Sequence, residues 1–528
     1  CHERDKDSCS KGLHTPDGAY KTNPLGIVLD GCPLDEKISE AHVLMRDGDP
    51  LGALALVMVD NPMCPGTGHR ICNDCMKGCI YQTQDPVNIP QIETGALTDV
   101  LRLPWGVEIY GFLTRWNPLN VRRPYPLPYR GRNVLVVGLG PAGYTLAHHL
   151  LNEGFGVVGI DGLKIEPLDA AFVGDPDAGV APRPIESWAA LYRSLDERIL
   201  EGFGGVSEYG ITVRWDKNFL TLLHLTLARR TAFRIFDGVR FGGTLTAEDA
   251  WDLGFDHIAV AAGAGKPTVI EMRNNLSRGI RKASDFLMAL QLTGAAKRDS
   301  LANLQVRLPA VVIGGGLTAV DTATELMAYY PVQVEKMLLR VEGIAAAGGE
   351  ARVWTRMDDE ERDVLEEFLS HGRAIRAERA RAAAAGEAPD FTPLLRAWGG
   401  VTLAYRKSLD DSPAYRLSHE EVAKALEEGI QIAECMDPEE AVLDDHGAVA
   451  ALRFRVQAMV DGRWKATDRA VTLPARSVMV AAGTSPNIGY AKGHPGSLGL
   501  DTRGRFFLGH RAERTADGGW RPVPAEGA

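Results

Sequence analysis

No run of about 18 uninterrupted apolar residues occurs in this chain, and no basic segment followed by an apolar one opens it. Neither a membrane-crossing helix nor a secretory signal peptide is therefore expected. An excess of basic charge is also missing: 58 Lys and Arg face 69 Asp and Glu, for a net charge of −11. That balance argues against general affinity for nucleic acid or anionic membrane, since both need basic surface. Cysteine is scarce after residue 79. Seven of the eight cysteines, Cys1, Cys9, Cys32, Cys64, Cys72, Cys75 and Cys79, precede it, and Cys435 stands alone. In a chain with an expected cytoplasmic address disulfides are unfavoured, so clustered thiols read as metal-binding or redox-active.

Glycine is abundant instead, at 57 of 528 residues, about 11% against an ordinary 7% or so. The length suits about three domains. Residues 1–125 hold the cysteines and two expected helices, Asp35 to Arg46 and Pro50 to Asp60, separated by Asp47-Gly48-Asp49 and ended by Asn61-Pro62. Trp116 to Arg130 carries Pro118, Pro124, Pro126 and Pro128 and reads as an extended linker. From Gly131 the pattern becomes strand, glycine turn and helix, which indicates a parallel sheet.

The run Val134 to Val137 leads into Gly138-Leu139-Gly140-Pro141-Ala142-Gly143, a G-x-G-x-x-G turn opening a helix. Gly138 suits the tight turn, Gly140 close approach to a pyrophosphate, and Gly143 close helix packing. Asp161 ends the second strand, where an acid can bond a ribose hydroxyl. A second unit follows Ala310 to Ile313: Gly314-Gly315-Gly316-Leu317-Thr318-Ala319 fits G-x-G-x-x-A. Its second strand is placed at Val401 to Tyr405, beyond a charged stretch at 332–400. That stretch reads as a solvated inserted helix or a partner-docking element. Arg406 and Lys407 then stand where an NAD protein carries an acid, which favours NADPH while leaving NADH open. Two dinucleotide loops imply a flavin meeting a nicotinamide. Gly263 and Gly483, in Ala261-Ala262-Gly263 and Ala481-Ala482-Gly483, mark expected crossings between the two units.

Cys72-x2-Cys75-x3-Cys79, with Cys64 and Cys32-Pro33, offers soft ligands for iron–sulfur or for zinc. A redox cluster is the more useful neighbour to a flavin. His69 is expected to be structural.

In this order the motifs resemble the glutamate synthase small-subunit family, including the amino-terminal half of dihydropyrimidine dehydrogenase. The resemblance rests on Gly31-Cys32-Pro33, Asn61-Pro62, cysteines 64–79, Val87-Asn88-Ile89 and both glycine loops. It also uses Gly204-Gly205, Tyr209-Gly210-Ile211, Tyr405-Arg406-Lys407 and Glu428-Gly429-Ile430. The resemblance implies an α/β fold with two Rossmann-like domains, for FAD and NAD(P), preceded by an α-helical domain with two 4Fe-4S clusters. Domains are then expected at 1–125, at 126–270 joined with 476–528 (FAD), and at 271–475 (NAD(P)H). It further implies that Cys1, Cys9 and Cys79 serve one cluster together with a cysteine upstream of the given sequence. Cys32, Cys72 and Cys75 would serve the other, with Cys64 or Glu93 as fourth ligand. Leu317 replaces the family's aspartate, and its Gly-Asp turn near the carboxyl end is absent. The 528 residues are therefore expected to be the central part of a longer protein.

The expected activity is an NAD(P)H-dependent oxidoreductase passing electrons through FAD and clusters to a partner subunit or domain, with no catalytic side chain of its own. A non-catalytic electron-transfer or assembly subunit and a zinc-stabilised flavoprotein are the alternatives.

Overall fold

The computed structural model describes residues 7–67, 72–175, 178–194, 196–197 and 216–525. Cys1, His69, Gly204-Gly205 and Tyr209-Gly210-Ile211 lie outside them. Among the described residues no helix is long and apolar enough to cross a membrane.

The amino-terminal region is helical. Asp49 caps the helix Pro50–Asp60 by accepting the Gly52 N–H at 2.8 Å, and Pro50 fits its first turn. The preceding helix starts at Ile38 rather than at the expected Asp35. Asp35 has φ 54°, a left-handed conformation from which a right-handed helix cannot propagate. Ile89–Arg102 and Gly106–Leu113 complete the group. Leu54, Val57, Leu97, Leu101 and Tyr110 form its core.

Two parallel sheets follow. The first contains β1 (Asn133–Val137), β2 (Gly156–Ile160), β3 (Phe233–Phe236) and β4 (His257–Val260), in the order β3-β2-β1-β4. Val134 to Val137 are all buried, as expected of a strand covered on both faces. The second contains β5 (Ile280–Lys282), β6 (Ala310–Ile313), β7 (Val401–Ala404), β8 (Gln431–Ala433) and β9 (Ser477–Val480), in the order β5-β9-β6-β7-β8. Val401 pairs in parallel with Ala310, so β7 is the second strand of the second nucleotide unit. β9 also pairs with β6. The chain therefore leaves the second sheet after Val480, whereas the sequence drew that boundary at 476.

An antiparallel meander, Met436–Leu443, Val449–Val460 and Arg463–Pro474, packs Leu452 and Phe454 against Val311, Ile313 and Val478. The helix after the second loop runs unbroken from Leu317 to Gly348, through Pro331. A second long helix, Asp359–Ala385, opens with a capping box between Asp358 and Glu361 and packs on the first. At Gly372 a Cβ would lie 2.6 Å from the Val334 carbonyl oxygen, so the two helix backbones approach closely there. Arg376–Glu342 and Arg379–Glu335 join their outer faces, while Tyr330, Phe368 and Ile375 join the main core. The charged stretch is thus solvated on one side only.

Candidate functional site

Both glycine loops follow one backbone plan. Gly138 donates its N–H to Ile160 O at 2.8 Å, and Ala261 donates to Val137 O at 2.8 Å. Gly314 donates to Ala404 O at 3.0 Å, and Ala481 donates to Ile313 O at 2.8 Å. Each loop's first glycine lies against the carbonyl of the first alanine in its crossing: a Cβ on Gly138 would lie 2.5 Å from Ala261 O, and one on Gly314 would strike Ala481 O. Gly140 and Gly316 precede the helices Pro141–Asn152 and Leu317–Gly348, which have no side-chain cap and so leave opening N–H groups for an anion, although Ala319 N–H donates to Gly316 O at 2.9 Å. Pro141 opens its helix, followed by Ala142. The crossings themselves are strapped together. Lys266–Pro267 pairs antiparallel with Thr484–Ser485, Thr268 N–H donates to Gly483 O at 2.9 Å, and Asn487 N–H donates to Gly263 O at 3.0 Å.

The units differ in what surrounds the loops. In the first, a Cβ on Gly143 would overlap the Gly138 carbonyl. The Asp161 carboxylate turns onto the loop, accepting the N–H groups of Leu139 and Leu163 at 2.8 Å each. Burial pushes that carboxyl up despite those bonds, because an ion loses more solvation than two amides return. In the second unit a cleft of about 640 Å³ opens beside Gly314, Gly315, Gly316 and Thr318. The Tyr405 ring lies where a Cβ on Gly315 would sit. Arg406 is exposed on the cleft rim, and no carboxylate pairs with it among the described residues. Lys407 does not line the cleft; its carbonyl accepts the Cys435 N–H at 2.9 Å. Leu317 packs on the apolar core and also stays out of the cleft, while Ala319 is buried.

Sequence reasoning missed Asp437, which reaches the cleft from the meander and accepts a hydrogen bond from Gln457 at 3.2 Å. Burial pushes its carboxyl up, and Arg406 opposes that rise. No local pattern marks this residue, because its place depends on packing between distant segments.

The described cysteines are all free. Cys9 and Cys79 are near enough to interact electrostatically, and Cys32 and Cys72 both bear on Cys75. Cys64 is fully buried, with Glu36 and Glu93 acting on it. Burial pushes up Cys9, Cys64, Cys72 and Cys75, and Cys32 to about 11. Such thiols stay neutral and inert unless a cation draws off the proton. Glu93 and Glu36 bear on each other, and burial pushes both carboxyls up. The donor chemistry, soft thiols with a nearby carboxyl pair, is of a kind that suits a soft metal centre. As they stand, however, no three His, Cys, Asp or Glu among the described residues are gathered closely enough to hold a metal ion.

Residues 132–369 match the family model described as pyridine nucleotide-disulphide oxidoreductase. Both glycine loops fall in that span. It is 42% identical to the uncharacterized protein RP006 of Rickettsia prowazekii over 80% of this chain and 58% of that one. It is 25% identical to a glutamate synthase [NADPH] small chain of Mycobacterium tuberculosis over 55% of this chain and 50% of the other. The chain thus spans about half the length of the curated relatives it matches. Among solved structures, Mycobacterium tuberculosis FprA in complex with NADPH is 16% identical with a TM-score of 0.39, over 71% of this chain and 74% of that one.

Proposed function

We propose that, on the oxidoreductase domain of residues 132–369, the first loop holds FAD and the second holds NADPH, so that the chain moves reducing equivalents between them and on to an electron-accepting partner. The observation that carries this reading is the pair of loops with one hydrogen-bond plan, strapped through their crossings and carrying opposite charge at the ends of their second strands. Gly138, Gly140 and Gly143 let a pyrophosphate approach the helix Pro141–Asn152, and Asp161 has lone pairs left for a ribose hydroxyl. Gly314, Gly316, Thr318 and Ala319 do the same for the nicotinamide nucleotide. The unpaired guanidinium of Arg406 suits a 2′-phosphate, and the Mycobacterium tuberculosis relative is likewise named for NADPH. When bound, the nicotinamide supplies a hydride, and the flavin accepts it and passes electrons on singly.

The amino-terminal cysteines are proposed to hold two 4Fe-4S clusters. Cys1, Cys9 and Cys79 would serve one; Cys32, Cys72 and Cys75 would serve the other, with Cys64 or Glu93 completing it. The pushed-up thiols of Cys9, Cys32, Cys64, Cys72 and Cys75, and the nearness of Cys9 to Cys79 and of Cys32 and Cys72 to Cys75, support this. A cytoplasmic setting, where thiols stay reduced, is part of the same reading.

Anaerobic rapid mixing of the FAD-loaded chain with NADPH tests the enzyme. Bleaching of the flavin, at lower concentrations of NADPH than of NADH, is expected; a flavin that stays oxidised with both would leave only an electron-transfer or assembly role. Metal analysis of anaerobically purified protein tests the clusters separately, with iron supporting them and zinc in its place rejecting them.

A further inference from the structure

From Ile109 to Asn152 the chain contains no aspartate, glutamate or lysine, but five arginines: Arg115, Arg122, Arg123, Arg130 and Arg132. In a protein of net charge −11 this is a local reversal of sign, and it coincides with exposed apolar side chains. The Asn117 N–H donates to Pro124 O at 2.8 Å, closing an Ω-type loop that Asn117 Nδ2 anchors to Ala55 O at 2.7 Å. Val121, 87% exposed, and Leu119 stand on this loop. Beside it Phe112 and Trp116, with ring centroids 5.2 Å apart, and Tyr125 are also exposed. Aromatic and arginine side chains on a pre-organised loop have the composition of a recognition surface.

Beneath the loop lies a hollow of about 90 Å³, lined by Arg115, Arg123, His148, His149 and Asn152 among others, with room for several waters. Arg123 is paired with Glu153 at 2.8 Å. Arg115 gives its Nε–H to Gly111 O at 3.2 Å and has no carboxylate partner among the described residues. Asn152 Nδ2 donates to His148 Nε2 at 3.2 Å, which leaves the ring proton on Nδ1; that buried atom has no partner among the described residues. Arg230 stands behind Asn152, donating from Nη2 to Asn152 Oδ1 at 2.9 Å, and its buried Nη1 is likewise without a partner among the described residues. Three helices, Pro50–Asp60, Gly106–Leu113 and Pro141–Asn152, contribute residues from their carboxyl ends here. Their negative dipole ends account for cations in this place. They do not supply an acceptor for Arg230 Nη1 or His148 Nδ1, and an unsatisfied buried donor costs about 1 to 3 kcal/mol.

We propose that the loop and the hollow form a docking site for a segment of a partner protein that pairs acidic with apolar residues, one carboxylate entering the hollow between Arg115 and His148 while Val121, Phe112 and Trp116 pack on its apolar neighbours. The site is independent of the redox reading, since it uses none of the nucleotide or thiol residues.

The test uses the full chain and an array of short peptides that combine Asp or Glu with Leu or Phe, each beside its Asn or Gln counterpart. Acidic peptides are expected to bind at least about tenfold more tightly than their amide twins, a difference of roughly 1.4 kcal/mol. Binding should weaken with salt and be lost in Arg115→Glu and in Val121→Asp, whose thermal midpoints stay at the parent value. Equal binding of the amide twins, no binding by any acidic peptide, or full binding by both variants overturns the proposal. So does displacement of the peptide by inorganic phosphate, a single-stranded oligonucleotide or vesicles of anionic lipid at concentrations where the peptide itself is saturating.

Discussion

The two glycine loops share a backbone and differ in their surroundings. Gly138 and Gly314 make matching hydrogen bonds and press on matching alanine carbonyls. The first loop is nevertheless closed upon its own acid, Asp161, whereas the second opens on a cleft with Arg406 exposed on its rim. On the proposed reading, the backbone plan admits a pyrophosphate and the side chain after the second strand selects the nucleotide.

The harshest test of this contrast is the third position. Gly143→Ala places a methyl on the Gly138 carbonyl, backbone against backbone, and should cost about 3 kcal/mol in urea unfolding together with flavin retention. A shift in midpoint within error would mean that the two loops pack alike. Next comes charge. Arg406→Ala should weaken NADPH binding by about 10- to 100-fold, the worth of a hydrogen bond to a charged group, and leave NADH binding within about twofold; equal losses for both nucleotides would remove the arginine's selective role. Ala319→Gly, the reverse exchange at the third position of the second loop, should cost only about 1 kcal/mol, the helix-interior value.

Asp161 gives a slope instead of a step. Its folded carboxyl is raised above the ordinary 3.8 by burial, so its contribution is complete below the unfolded value and is lost as pH rises through the folded one. Stability of Asp161→Asn measured against the parent should therefore climb with pH across the acid range, and a flat difference curve would place that carboxylate in solvent. The smallest effect belongs to Lys407→Ala, expected within about 0.5 kcal/mol for both stability and nucleotide binding, because Lys407 stands off the cleft.

Sequence periodicity located β1, β2, β6 and β7 to within a residue. Short apolar runs bounded by glycine are local signals, and each of these strands is buried by the sheet it belongs to. The helix Leu317–Gly348 was not legible at its full length, because Pro331 and the charged residues beyond it look like a break when the packing partner Asp359–Ala385 is unknown. The meander at 436–474 escaped notice for a related reason. Its strands are half exposed, and their alternation is interrupted by bulges at Pro438/Glu440 and Arg455/Gln457. Of the candidate site, Arg406 was legible from its distance past a glycine loop, whereas Asp437 was not, since nothing near it in the chain refers to the cleft. Cysteine spacing identified soft donors, but said nothing of the Glu36 and Glu93 carboxyls set among them.

The strap between Lys266–Pro267 and Thr484–Ser485 has a consequence for modularity. The chain enters the second nucleotide unit and leaves it at adjacent, hydrogen-bonded points, so its covalent attachment is a single clip, while Lys297–Glu166, Arg298–Asp196 and the bonds of Asn73 to Leu417 and Ser418 hold it from the side. Deleting the intervening segment and rejoining the clip with a short turn leaves β1 to β4 and their helix uninterrupted in sequence, and exchanging that segment for another nucleotide unit requires no rethreading of the host. The same arrangement lets cofactor preference in the second unit change by substitution of a whole cassette while the first loop keeps its own geometry.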